Sequence, residues 1–70
     1  MTKVELNRIL KSAGLDPKAY KCKKETYWKI YPQPYEKPRF AENMESLKAY
    51  LSNNGIKFFD KYADCFQIYA

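Results

Sequence analysis

YKCKKETYWKIY, running from Tyr20 to Tyr31, is the stretch whose reading decides the fold. Taken with a period of two, Tyr20, Cys22, Thr26, Trp28 and Ile30 share one face, and Lys24 is the only charged residue among them. Lys21, Lys23, Glu25, Tyr27, Lys29 and Tyr31 share the other. Taken with a helical period, Tyr20, Tyr27, Trp28 and Tyr31 approach one stripe, but Lys23 and Lys24 fall in its gap. Thr, Tyr, Trp and Ile also favour strands. The stretch is therefore expected to be mainly strand, with the lysine pair at a bulge or bend. The competing reading is a winged helix-turn-helix, in which Asp16-Pro17 opens a helix here, the next helix enters a groove and a C-terminal hairpin is the wing.

On the N-terminal side, Thr2-Lys3-Val4-Glu5 has the form of a capping box, with the Thr2 hydroxyl on the Glu5 amide and the Glu5 carboxylate reaching back to Thr2. Met1 and Leu6 are spaced as a hydrophobic staple. Leu6, Ile9, Leu10 and Ala13 then form one apolar stripe, which predicts a helix over Lys3 to Ala13. Gly14 ends it in a left-handed conformation and Leu15 folds back on Leu10.

On the C-terminal side, Pro32, Pro34 and Pro38 predict an extended linker that joins no ladder. Phe40, Met44, Leu47 and Leu51 mark a second helix, with Glu42 and Glu45 early and Lys48 later, as the helix dipole favours. Asn54-Gly55 stops it, and Ile56 packs back on Leu51. Ile56 to Asp60 and Cys65 to Tyr69 alternate as strands, joined by the short link Lys61-Tyr62-Ala63-Asp64, which lacks an Asn-Gly pair to fix the register. The order α, β, α, β, β defines an α+β fold. Its expected form is a small three-stranded antiparallel/mixed sheet, a split βαβ, with the C-terminal strand antiparallel to and between two strands that run parallel to each other, and both helices on one face.

Seventy residues make one small domain, near the lower limit for a single apolar core. Cys22 and Cys65 are too few and too far apart for a disulfide framework or a CxxC metal site. They are expected to be reduced and buried, as neighbours if the first and last strands pair. With no histidine, the usual catalytic triads and metal centres are absent, so neither an enzyme nor a cofactor is expected. Asp60 and Asp64 beside Lys61 fall at a hairpin tip, where carboxylates serve as solvated turn residues. The chain has neither a cationic lead with an apolar h-region nor a run long enough to cross a bilayer, which points to a cytoplasmic protein without a membrane partner.

Charge gives the functional expectation. Lys18 to Phe40 holds seven basic residues against two acids, a balance of +5 that equals the net charge of the whole chain. Eleven lysines against two arginines is the bias of AT-rich coding, but coding bias does not confine the excess to one third of the chain.

On the expected fold, Trp28, Ile30, Ile56, Phe58, Phe66 and Ile68 face the helices. The opposite, open face then carries Lys21, Lys23, Tyr27, Lys29, Tyr31, Lys57, Phe59, Gln67 and Tyr69. Aromatics ringed by lysines are suited to stack unpaired bases of DNA or RNA while the ammonium groups hold the phosphates. Tyrosines that only cover a sheet, hydroxyls in water, are the competing structural reading. A lysine and aromatic surface equally suits an acidic host protein. In style, though in no family, the chain resembles the small accessory proteins of phages and mobile elements that bind and inhibit or adapt a host enzyme.

Overall fold

The computed structural model describes residues 1–62 and 65–69, with backbone alone at 61 and 62. Along the chain run helix α1 (Lys3–Ser12), strands β1 (Tyr20–Lys24) and β2 (Trp28–Pro32), helix α2 (Phe40–Asn53), and strands β3 (Lys57–Tyr62) and β4 (Cys65–Tyr69). Their sheet has the order β1-β2-β4-β3, every neighbouring pair antiparallel. β2 and β3 thus run the same way on either side of β4, as the split βαβ requires.

The expected single strand over Tyr20 to Tyr31 is instead a hairpin, so the sheet has four strands and not three. Between Lys23 and Tyr27 the chain offers no apolar side chain to the core, and there it reverses; the Glu25 amide donates to the Tyr27 carbonyl at 2.9 Å. The turn uses no positive φ outside glycine, which is why it carries no Gly or Asn signal. The winged helix-turn-helix is overturned by the same observation, since residues 20–24 and 28–32 are strands.

The face assignment survives this change because of the register. Tyr20 pairs with Pro32, Cys22 with Ile30 and Lys24 with Trp28, so the hairpin is centred on Thr26 and even-numbered residues oppose even-numbered ones. β4 continues the pattern, with Ile68 opposite both Trp28 and Phe58. Even positions therefore build the core face and odd positions the open one.

Leu6, Ile9 and Leu10 of α1 and Phe40, Met44, Leu47 and Leu51 of α2 pack with Trp28, Ile30, Phe66 and Ile68 in one apolar cluster. Phe58 and Phe66 stack at 5.5 Å between ring centroids. The Trp28 indole donates to the Met1 carbonyl at 3.1 Å, and the ammonium groups of Lys24 and Lys3 sit 5.4 and 5.8 Å from its ring. Lys24, the charged intruder on the core face, thus lies with its ammonium over the tryptophan ring.

Both helices stop in the same way. Leu15 donates to Leu10 and Ile56 to Leu51, each at 2.9 Å, around Gly14 and Gly55 with φ of 85° and 67°. At the start of α1, Thr2 Oγ1 accepts from the Glu5 amide at 3.2 Å; the Glu5 carboxylate meets the Thr2 hydroxyl rather than its amide. Asp16-Pro17 opens a short 3₁₀ turn, with Asp16 Oδ1 accepting from the Lys18 amide at 3.0 Å.

The proline-rich segment also differs from expectation. Pro32 closes β2, and Pro34–Arg39 is a 3₁₀ turn rather than an extended linker. Proline's fixed φ near −65° fits either conformation, and at the start of a helical turn its missing amide costs nothing. Side-chain contacts decide it: Asn43 Nδ2 donates to Glu36 Oε2 and to Tyr20 Oη, both at 2.9 Å, fastening the turn to α2 and β1. β3 likewise extends to Tyr62, into the expected link, with a register shift between Phe59 and Tyr62. The rest of that link, Ala63 and Asp64, lies outside the described residues. Among the described residues, no helix is long and apolar enough to cross a membrane.

Two outcomes follow for stability. Ile68→Ala, at a side chain with no exposed surface, should cost about 2–5 kcal/mol, a large part of the roughly 0.05–0.15 kcal/mol per residue that holds small domains folded; urea denaturation followed by circular dichroism reads this. Lys48 lies between Asp60 Oδ2 at 2.9 Å and Glu45 Oε1 at 2.7 Å, and these carboxylates raise its pKa above the ordinary 10.5. Because the folded value is the higher one, its stabilisation is complete below the ordinary value and disappears as pH climbs through the raised one. Lys48→Met should therefore flatten the stability profile in that alkaline window.

Candidate functional site

Covered by no helix, the odd-numbered face of the sheet gathers the residues that sequence alone placed there. Lys23 pairs with Lys29, Lys29 with Gln67 and Gln67 with Phe59, forming one row across all four strands. At strand spacings near 4.8 Å the row is about 14 Å long. Lys21 opposite Tyr31 lies on one side of it, and Tyr69 opposite Lys57 on the other. Tyr27, in the hairpin turn, sets its ring edge-on to Tyr69 with centroids 5.1 Å apart.

These side chains form a connected layer. The Tyr69 hydroxyl donates to Gln67 Oε1 at 3.0 Å, which satisfies a glutamine only 5% exposed. Lys29 Nζ lies 5.7 Å from the centre of the Tyr27 ring. Tyr69 remains 42% exposed, so its ring can be reached from solvent. Tyr31 is half-buried beside Cys65, and burial, then the hydrogen bond with Cys65, raises its hydroxyl above the ordinary tyrosine value.

Glu25 is the acid that residue type alone left out of the site, although its odd number placed it on this face. Its carboxylate reaches Lys29 Nζ at 3.1 Å and Lys23 Nζ at 3.8 Å. Lys23 and Lys29 are directly opposed, and like charges in that position repel. Glu25 offsets the repulsion, and its hydrogen bond raises the Lys29 pKa. Lys21 and Lys57 have no ion-pair partner among the described residues.

The cysteines are not neighbours, because β2 lies between their strands. Cys22, half-buried rather than buried, packs against the core beside Lys3, whereas Cys65 is buried beside Tyr31, and both thiols are free. Burial raises the Cys22 pKa, more than the nearby Lys3 ammonium lowers it. Asp60 accepts from Lys48, the ammonium that Glu45 also meets, and Asp64 lies outside the described residues. No group of three or more His, Cys, Asp or Glu among the described residues is placed to hold a metal ion. No protein-family model matches the chain, and no curated protein or solved structure is significantly similar to it.

Alkylation tests the thiol assignment. In denaturant without reductant, mass spectrometry should find two adducts per chain. In the native protein Cys22 should react more slowly than an exposed thiol and accelerate only at more alkaline pH. A species lighter by two protons with no adduct would contradict it.

Proposed function

We propose that the open sheet face binds single-stranded nucleic acid, without catalysis, in the reducing interior where two free thiols persist. The observation that carries this reading is the row Lys23, Lys29, Gln67, Phe59, flanked by Lys21, Lys57, Tyr31 and Tyr69. The ammonium groups, Lys21, Lys23 and Lys29 at the β1–β2 end and Lys57 on β3, neutralise phosphates, and the rings of Tyr31, Tyr69 and Phe59 beside them meet the bases. Unpaired bases are required because a duplex hides the surfaces on which rings stack. A face about 14 Å across accommodates only a few nucleotides, so a single copy binds weakly and with little sequence preference.

Docking on an acidic protein, in the manner of a small inhibitor or adaptor, is the second reading. It draws on the Glu25 contacts with Lys23 and Lys29, which leave the packed Tyr27 and Tyr69 as the main uncharged anchor.

Fluorescence anisotropy with a labelled oligonucleotide over a range of salt separates the two. Charge reversal at Lys21, Lys23 and Lys29 should weaken binding for every sequence and reduce the salt slope by roughly 0.7 for each phosphate that is no longer neutralised. Tyr69→Ala should cost about 1–3 kcal/mol with little change in slope. Absence of oligonucleotide binding at low salt, together with a salt-resistant complex with one protein, would replace the first reading with the second.

A further inference from the structure

The acid within this basic face has a role of its own, on the reading that the face binds nucleic acid. We infer that Glu25 is a built-in competitor for the phosphate backbone, a residue that limits affinity and hastens release. Its carboxylate occupies, at 3.1 Å, the position a phosphate oxygen would take on Lys29, and it lies 3.8 Å from Lys23. A ligand phosphate therefore has to displace Glu25 or bind beside a like charge. The side chain is 40% exposed, so it can swing into solvent without uncovering the core.

The placement is specific to the side chain. The turn itself is closed by the Glu25 amide and the Tyr27 carbonyl, and any residue but proline supplies that amide. Lys29 remains beside the Tyr27 ring at 5.7 Å, so a freed ammonium stays on the face. Displacement of the carboxylate leaves Lys23 and Lys29 directly opposed, and a bridging phosphate would then offset the repulsion that Glu25 offsets in the free protein. A purely structural role predicts the opposite result on binding, since loosening Lys23 and Lys29 would weaken the site.

Glu25→Gln keeps the shape and removes the charge. In the full chain, with a labelled single-stranded oligonucleotide as the probe, it should bind several-fold more tightly than the parent and dissociate more slowly. Its salt slope should steepen by roughly 0.7, the increment for one more neutralised phosphate. An amine titration by NMR should show the Lys29 pKa moving back toward the ordinary lysine value. Adding Lys29→Met to Glu25→Gln should abolish the gain. Unchanged or weaker binding by Glu25→Gln, while the parent binds, overturns the competitor role and leaves the nucleic-acid reading standing. Failure of both proteins to bind overturns the two together.

Discussion

The register of the first hairpin is the constraint on which everything else in the fold depends. Centred on Thr26, it places residues of equal parity opposite one another, so a chain that reverses direction keeps its two faces separate. A slip of one residue would exchange Ile30 for Lys29 at the core and carry the lysines under the helices. Trp28 opposes this slip, because its indole is held by the Met1 carbonyl and flanked by Lys3 and Lys24. Glu25 opposes it from the other face by joining Lys23 to Lys29. One hairpin therefore fixes both the apolar surface on which the helices pack and the basic surface they leave open.

Around that hairpin, a small core is closed by local devices of known magnitude. Thr2 caps α1, a contribution of about 1 kcal/mol. The glycine stops at Gly14 and Gly55 satisfy the last carbonyls of each helix and turn Leu15 and Ile56 back onto the core. Asn43 ties the turn over Pro34–Arg39 to β1 through two hydrogen bonds. These fastenings come from outside the sheet, so its odd-numbered face has no structural need of a covering helix.

Much of this was legible in the chain. Alternation assigned Trp28, Ile30, Phe58, Phe66 and Ile68 to one face and Lys21, Lys23, Tyr27, Lys29, Tyr31 and Tyr69 to the other, and the assignment holds for two strands as for one because the hairpin is centred on a residue, Thr26, so that even positions still oppose even ones. The helix stops were legible because Gly14 and Gly55 each precede an apolar residue. The hairpin turn was not, since Glu25-Thr26-Tyr27 reverses the chain with no positive φ and no marker residue. The conformation of the proline segment depends on Asn43 meeting Glu36, a contact between separate elements. The capture of Lys23 and Lys29 by Glu25 depends on cross-strand pairing, which residue type and spacing do not specify.

A basic patch attracts phosphate wherever it lies; a functional face must also direct it. On the proposed reading, binding through the row from Lys23 to Phe59 would confine the ligand to one side of the sheet and leave α1 and α2 facing away. The most direct test is an amide and side-chain chemical-shift titration with a short single-stranded oligonucleotide. Shifts at Lys21, Lys23, Lys29, Gln67 and Tyr69 should saturate together, with the exposed sides of the helices unchanged. Shifts spread over Arg8, Lys11 and the helices, or none at the sheet, would contradict binding at this face.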